Sequence, residues 1–356
     1  MIIQNSPQNE KTKALVDKFL KGKVEKYILG LNENSKKLAN IVNIDGYIDD
    51  FTANKLYNNV KVYKSNEIIN KEAIVVSSSL AIYPHSAIKS LCKSGFKNIL
   101  SILDVAKYDG LNLGFINFAK EDLENNYNKY EMIFNNLKDD ESRNVFENIV
   151  NFRFNLDLNY MKSFVVDIKT QYFEDFLNLQ SGEVFADVGG FDGQTSAEFI
   201  RRCPDYKSIY IFEPSEKNLN KAKENLKHQR DIDFISKGLS NQKEVLKFNA
   251  DFGSSSVISE QGTISLEVDT LDHLINEKIS FIKIDIEGWE RMAIEGMRNH
   301  ILNDHPKMAI SVYHKVDDFW KIPEQVFAIR HDYDIYMRHY TEGTDETVMF
   351  FMPKQS

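Results

Sequence analysis

The sequence around residue 190 constrains the fold of this chain more than any other stretch. The run Val184–Val188 is short and apolar, which is typical of a strand that is buried on both faces. Gly189, Gly190 and Gly193 follow it and predict a turn where the backbone passes close to another group. A short amphipathic helix and a second buried strand, Ser208–Phe212, come next. This order predicts a unit in which strands and helices alternate around a sheet.

Acidic residues border this glycine turn and indicate the kind of ligand that it suits. Glu213 ends the second strand, where an acid accepts hydrogen bonds from ribose hydroxyls. A dinucleotide turn needs the spacing Gly-x-Gly-x-x-Gly, which the turn lacks, so an NAD-dependent oxidoreductase is disfavoured. Asp187 and Asp192 are a poor lining for a pyrophosphate and a good one for the ammonium and sulfonium groups of S-adenosylmethionine. The turn therefore predicts a site for S-adenosylmethionine.

Four motifs, in their order along the chain, resemble those of class I methyltransferases of the FkbM family. They are Asp187-Val-Gly-Gly-Phe-Asp-Gly-Gln-Thr, Phe212-Glu-Pro, Thr270-Leu-Asp-His-Leu and Phe281-Ile-Lys-Ile-Asp-Ile-Glu-Gly-Trp-Glu. The resemblance covers roughly Gln171 to the C-terminus. It implies an S-adenosylmethionine-dependent O-methyltransferase with a Rossmann-like sheet of seven strands, the last two of which form an antiparallel hairpin.

The donor is expected beyond the carboxyl ends of the strands, where ligands lie in open α/β sheets. Asp187 and the glycine turn would hold its methionine part, and Glu213 its ribose. The other residues predicted at the donor site are Gly189, Gly190, Asp192, Gln194, Thr195, Gly238 and Asp269. The resemblance implies that Gly238 lies near the adenine. Asp269 could reach the donor or could equally cap the helix that follows it.

The predicted strand Phe281–Ile286 carries residues that could act on the acceptor. Alternation places Lys283 and Asp285 on one face, and burying two charges is costly unless they pair or serve a site. Glu287 follows closely, and His314 ends the next predicted strand. Asp285 or His314 is the predicted base, since either could take a proton from an acceptor hydroxyl. Asp285 could instead ligate Mg²⁺ with Glu287 or His314, and the sequence leaves both roles open.

The resemblance also implies that the acceptor is a sugar hydroxyl, on a nucleotide-linked or glycan sugar, in the biosynthesis of a surface polysaccharide. Gly46-Tyr-Ile-Asp-Asp is similar to a strand end in N-terminal nucleotide-sugar-binding domains, although its two acids could equally cap a loop. The residues predicted to contact substrate are Tyr172, Arg338 and His339. A serine triplet after Phe252 is implied to lie over the substrate. Two alternatives stay open: an acceptor that is a polyketide-type hydroxyl or another small alcohol, and a nucleotide-binding protein without turnover.

The order of predicted elements divides the chain into three parts. Residues 1–120 alternate short strands and helices and predict a small α/β domain, with Ser35 as the N-cap of a helix over Lys36–Val42. Residues 121–170 have a helical period and predict a connector. Residues 171–356 form the predicted methyltransferase domain.

Composition excludes several classes of protein. A net charge of -9 argues against tight binding to nucleic acid or to an anionic membrane. Cys92 and Cys203 are too few for a disulfide framework, and no apolar run reaches the length of a membrane span. We therefore expect a cytoplasmic enzyme whose partner is a small-molecule or nucleotide-linked sugar substrate. A homo-oligomer is compatible with this composition.

Overall fold

The computed structural model describes residues 1–52, 55–248 and 264–354. The chain forms two compact units, and each draws on separate parts of the sequence. The first unit comprises Met1–Asn128, Asn144–Ile168 and His339–Glu346, and the second comprises Lys129–Arg143, Lys169–Arg338 and Thr347–Ser356. The helical segment predicted at 121–170 is therefore shared between the units. The serine triplet after Phe252 lies outside the described residues.

A six-stranded sheet lies in the first unit. Its strands are β1 Lys26–Leu29, β2 Gly46–Ile48, β3 Leu56–Tyr57, β4 Val60–Tyr63, β5 Ile74–Ser77 and β6 Asn98–Ser101. They lie in the order β3-β4-β2-β1-β5-β6, with every neighbouring pair parallel except β3 and β4. The helices of this unit are α1 Glu10–Lys21, α2 Glu33–Ala39, α3 Pro84–Lys93 and α4 Ile102–Asp109. The α/β class predicted for this part of the chain is confirmed, whereas the predicted bounds of 1–120 stay a prediction.

Helix α2 begins earlier than predicted. Asn32 is its N-cap, because the Asn32 side chain accepts a 2.9 Å hydrogen bond from the backbone N–H of Ser35. The Ser35 hydroxyl accepts one of 3.0 Å from the N–H of Asn32 in return. The two residues form a capping box, in which the third helical residue supports the cap. The prediction that Ser35 is the cap was wrong.

The two acids after β2 serve their own loop. Asp49 Oδ1 accepts hydrogen bonds of 2.8 Å from the backbone N–H groups of Phe51 and Thr52. Asp50 Oδ1 accepts one of 2.7 Å from the N–H of Ser65. Of the two roles considered for the Gly46–Asp50 segment, these contacts favour loop capping.

Two long helices follow, α5 Ala119–Asn136 and α6 Asp140–Asn155, and each has parts in both units. Among the described residues, no helix combines the length and the apolar character that crossing a membrane requires.

A seven-stranded sheet and a three-stranded sheet lie in the second unit. The strands are β7 Val184–Val188, β8 Ser208–Phe212, β9 Ile232–Ile235, β10 Gly238–Leu239, β11 Glu244–Phe248, β12 Ile264–Asp269, β13 Phe281–Ile284, β14 Lys307–Ser311, β15 Tyr333–His339 and β16 Thr347–Pro353. The helices are α7 Gln194–Arg202, α8 Glu216–Asn225, α9 Leu271–Leu274, α10 Glu290–Gly296, α11 Arg298–Asn303 and α12 Asp318–Ile329.

The large sheet has the order β15-β16-β14-β13-β7-β8-β9. Strands β9, β8, β7, β13 and β14 are parallel to one another. Strand β16 is antiparallel to β14. The Rossmann-like sheet and its antiparallel end are thus confirmed. The small sheet has the order β10-β12-β11.

Aromatic packing fixes the centre of the large sheet. The Phe185 ring stacks on Phe199 of α7 and on Phe281 of β13, with centroid distances of 4.4 and 4.9 Å. Phe185 and Phe281 are also register partners, so Val188 and Ile284 end their strands at the same level. The glycine turn after β7 and the loop after β13 therefore begin side by side.

Candidate active site

Asp187 and Lys283 form a buried ion pair at the start of the glycine turn. They are register partners on β7 and β13, and Asp187 Oδ1 lies 3.2 Å from Lys283 Nζ. Asp187 Oδ2 accepts a 2.7 Å hydrogen bond from Ser196 Oγ, and Lys283 Nζ donates one of 2.6 Å to the carbonyl of Gly189. Both side chains are almost completely buried. This enclosure favours a role of the pair in supporting the turn, while direct contact of Asp187 with a donor and a catalytic role of Lys283 stay predictions.

The glycines of the turn are required by close contacts. Gly189 has a φ of +81°, and a Cβ on it would lie 1.9 Å from the carbonyl oxygen of Asp285. A Cβ on Gly190 would lie 2.3 Å from Cγ2 of Ile211. Both glycines donate their N–H groups to the carbonyl of Phe212. The turn is therefore packed directly against the neighbouring strand end and the loop after β13.

We expect Gly189→Ala to destabilise the second unit more than Gly182→Ala does. Both glycines have positive φ, which costs an alanine about 1–2 kcal/mol, but a Cβ on Gly182 would meet nothing within 4 Å. The overlap at Gly189 should add about 1–3 kcal/mol. Urea unfolding followed by tryptophan fluorescence measures the difference, since both tryptophans, Trp289 and Trp320, lie in the second unit. Equal losses in the two variants would contradict the close contact.

Glu213 lies beyond β8 and holds the turn by its backbone. Its Oε2 accepts a 3.0 Å hydrogen bond from the N–H of Phe191, and its Oε1 accepts one of 2.9 Å from the N–H of Ser215. Burial raises the pKa of Glu213 above its usual value, although these N–H groups favour the charged form. Each carboxylate oxygen can accept a further hydrogen bond, so the residue can still bind a diol.

The other predicted donor residues of the turn lie on its exposed side. Asp192 Oδ2 accepts a 3.0 Å hydrogen bond from Nε2 of Gln194, and its carbonyl accepts one of 2.9 Å from Asn225. Gln194 and Thr195 begin α7, the first exposed and the second partly buried. Phe191 is 56% exposed between them and the strand. These groups are accessible to a ligand.

Asp285 is held by tyrosines on the other side of the turn. The Tyr172 hydroxyl donates a 2.6 Å hydrogen bond to Asp285 Oδ2, and the Tyr313 hydroxyl lies 3.4 Å from Oδ1. Tyr172 is itself fixed by Gln171, whose Nε2 donates to its hydroxyl at 2.8 Å, and by Ser311 Oγ at 3.3 Å. The Asp285 side chain is 23% exposed. It is therefore both oriented by the protein and open to a reactant.

His314 lies among carboxylates. Its Nδ1 is 3.0 Å from Glu290 Oε1, and its Nε2 is 3.5 Å from Asp285 Oδ1 and 3.5 Å from Glu287 Oε2. Burial opposes protonation, but these three acids outweigh it and raise the pKa of His314 to about 9. An imidazole that is charged at neutral pH does not suit the role of base, so of the two predicted bases the geometry favours Asp285.

Glu290 belongs to this group, although the sequence analysis did not identify it. It is 1% exposed, and its Oε1 accepts hydrogen bonds from the backbone N–H groups of Ile286 and Gly288 at 3.0 and 3.2 Å. Glu287 and Gly288 between them have positive φ values of 55° and 91°. This tight loop directs Glu290 back toward β13. The position of Glu290, five residues after Asp285 in the sequence, does not reveal this placement. The sequence signal that could have identified Glu290 is its presence in the fourth motif.

Two predicted donor residues lie elsewhere in the second unit. Gly238 and Asp269 are in β10 and β12 of the small sheet. Asp269 Oδ1 accepts a 2.9 Å hydrogen bond from the N–H of Thr270 and lies 3.0 Å from Nδ1 of His273. Thr270 is the N-cap of α9. Thr270 thus caps the helix that Asp269 was considered to cap, and a role of Asp269 at the donor site stays a prediction.

Arg338 and His339 lie in separate units, and each contacts other side chains of its own unit. Arg338 is buried, and its guanidinium lies 2.7 Å from Asp139 and 3.2 Å from Glu141, all within the second unit. His339 lies in the first unit, edge-on to Phe164, and burial lowers its pKa to about 3. The structure therefore does not group either residue with Asp285, and their role in substrate binding stays a prediction.

The chain is similar to known proteins in sequence and in structure. The Methyltransferase FkbM domain family matches residues 187–343, a range that includes all four sequence motifs. No curated protein matches the sequence. In structure, the chain is similar to the methyltransferase FkbM from Methylobacillus flagellatus KT, with a TM-score of 0.77 and 21% identity over 96% of this chain and 93% of that one.

Weaker structural similarities involve an rRNA methylase from Streptococcus thermophilus and fibrillarin from Aeropyrum pernix. Their TM-scores are 0.35 and 0.32, with 17% and 15% identity. They cover 51% and 49% of this chain and 93% and 67% of theirs. TM-scores this low support no conclusion, so the family rests on the match to residues 187–343. Residues 187–343 match the Methyltransferase FkbM domain family, as the four motifs predict.

Proposed function

We propose that this protein is an S-adenosylmethionine-dependent O-methyltransferase that acts on the hydroxyl of a nucleotide-linked or glycan sugar, in surface polysaccharide biosynthesis. The observation that carries the proposal is the placement of two acidic residues, Glu213 and Asp285, next to one glycine turn. Glu213 bonds to the turn from β8, and the carbonyl of Asp285 packs against Gly189 from the loop after β13.

The Glu213 side suits the donor. A carboxylate with a spare lone pair on each oxygen binds a ribose diol, and the adjoining turn has accessible polar groups in Asp192 and Gln194 for the rest of the molecule. The buried pair of Asp187 and Lys283 would stabilise the conformation of the turn.

The Asp285 side suits the acceptor. A sulfonium donor is already activated, so the protein must align the acceptor and assist the loss of its proton. Asp285 is partly exposed and is oriented by Tyr172, so it can receive a hydrogen bond from an acceptor hydroxyl. The side chains around it are tyrosines, carboxylates and the imidazole of His314, which together offer hydrogen bonds and aromatic faces to a hydroxylated ring. This supports a sugar hydroxyl as the reacting group.

Replacing Glu213 with alanine should weaken donor binding by about 10- to 100-fold, because hydrogen bonds to a charged acceptor contribute about 1.5–3 kcal/mol. Calorimetry with S-adenosylmethionine and S-adenosylhomocysteine measures the change. Glu216→Ala, an exposed acid in the first turn of α8, is the matched control and should leave the affinity unaltered. Unchanged affinity in the Glu213 variant would remove this residue from the donor site.

Transfer of a labelled methyl group to a panel of nucleotide sugars, oligosaccharides and small alcohols tests the reaction itself. We expect label in a sugar ether. Label in a non-sugar alcohol would replace the proposed acceptor class. Donor binding with no transfer to any member of the panel would favour a nucleotide-binding protein without turnover.

A further inference from the structure

His314 is a buried imidazole without a well-formed hydrogen bond. Its side chain is 9% exposed, and among the described residues neither ring nitrogen has a partner at acceptable geometry. Its Nδ1 lies 3.0 Å from Glu290 Oε1, an ion-pair contact. A buried polar atom without a hydrogen bond costs about 1–3 kcal/mol. Nε2, whose two neighbouring acids both lie 3.5 Å away, therefore points to a missing partner.

The carboxylates beside Nε2 have the spacing of metal ligands. Asp285 Oδ1 and Glu287 Oε2 each lie 3.5 Å from Nε2. Two ligand atoms that share a tetrahedral ion at about 2.1 Å stand about 3.4 Å apart. One oxygen or nitrogen atom from each of Asp285, Glu290 and His314 also falls within 4.8 Å of the others. Asp285 and His314 thus belong to both sets of neighbouring ligand atoms.

Glu290 completes the pattern from behind the ring. A histidine that binds a metal usually faces a carboxylate with its second nitrogen, which fixes the orientation of the ring. Glu290 Oε1 lies 3.0 Å from Nδ1 and is itself held by the N–H groups of Ile286 and Gly288. An oxygen already occupied in this way is better suited to orient His314 than to bind the ion.

We propose that Asp285, Glu287 and Nε2 of His314 bind a divalent transition-metal ion, which displaces the Nε2 proton to solvent, with Glu290 as a positioning residue. Carboxylates alone would suit Mg²⁺, but the imidazole shifts the preference toward ions such as Mn²⁺ and Zn²⁺. Three protein ligands leave a position open for a hydroxyl, whose pKa the ion would lower. The inference rests on the proposed function and specifies how Asp285 would act in it, namely as a ligand.

Binding of Mn²⁺ alone tests this site. The full chain is stripped with EDTA and titrated with MnCl₂ while electron paramagnetic resonance follows the signal of the free ion. Mn²⁺ is preferred to Zn²⁺ as the probe because exposed Cys92 could bind zinc. We expect one ion per chain and tighter binding of Mn²⁺ than of Mg²⁺ in competition.

Variants then locate the ion. His314→Ala and Glu287→Gln remove predicted ligands and should weaken Mn²⁺ binding at least 10-fold, and Glu290→Gln should weaken it about 10- to 100-fold. Glu287 is half exposed, so its variant keeps the test informative if His314→Ala does not fold. His273→Ala is the control, since this exposed histidine pairs with Asp269 instead; it should retain wild-type affinity.

Failure of the ion site and failure of the proposed function are separable. Calorimetry with S-adenosylhomocysteine on the same metal-free sample reports the donor site independently. Donor binding without Mn²⁺ binding would overturn the ion site, leave the methyltransferase proposal in place and indicate that His314 is a cation among its three acids. Mn²⁺ binding that is unaffected by the variants would likewise overturn it. Site-specific Mn²⁺ binding without donor binding would support the ion and count against the proposed function.

Discussion

An Asp285→Asn variant should lose about 10²–10⁴-fold in kcat, which is the range attributed to a positioned acid or base. Its affinity for the donor should stay within a factor of about two. The amide keeps the size of the side chain and can still accept the 2.6 Å hydrogen bond from Tyr172. It cannot take up the acceptor's proton, and as a neutral group it is a poorer metal ligand. The loss is thus expected whether Asp285 acts directly or through an ion.

The measurement is transfer of labelled methyl to the acceptor identified in the panel, at saturating concentrations of both substrates, with donor affinity from calorimetry. Asp205→Asn supplies the matched control, because it makes the same change at an exposed turn position of the same unit. Retention of kcat within about threefold would exclude Asp285 from the reaction. A parallel loss of donor affinity would instead place it at the donor site.

The strands of the large sheet could be predicted because a strand that is buried on both faces appears in the sequence as a short, mostly apolar run. Val184–Val188 and Ser208–Phe212 are apolar except for Asp187 and Ser208, and the structure has these bounds. Local capping was harder to predict. Ser215 caps α8 through its side chain, whereas α2 is capped by Asn32 rather than Ser35, through the reciprocal hydrogen bonds of a capping box.

The donor side of the site was more accessible to sequence reasoning than the acceptor side. Glu213 is fixed by the end of a strand, so its place follows from the strand itself. Alternation also predicted a shared face for Lys283 and Asp285, but β13 ends at Ile284 and Asp285 turns toward Tyr172. The partners of these residues are about one hundred positions away in sequence. Only the register of the sheet and the tight loop after it determine such pairings.

Lys283→Met should destabilise the second unit by about 3–5 kcal/mol, because it leaves the charge of Asp187 buried without its partner. Asp187 is completely buried and lies 3.2 Å from Lys283 Nζ, so water cannot replace the lost ammonium without local opening. Urea unfolding followed by tryptophan fluorescence gives the free energy for this unit. Lys207→Met is the matched control: Lys207 is mostly exposed, pairs with Glu277 at 2.6 Å, and its loss should cost at most about 1 kcal/mol.

A second substitution separates charge from packing in this prediction. Asp187→Asn removes the unpaired charge and keeps an oxygen that can accept the bond from Ser196. If uncompensated charge causes the loss, the double variant should be more stable than the sum of the single losses predicts, with a coupling energy of about 1–3 kcal/mol. Additive losses would mean that Lys283 stabilises the turn mainly through its bond to the Gly189 carbonyl. The buried pair would then be incidental to the conformation of the turn.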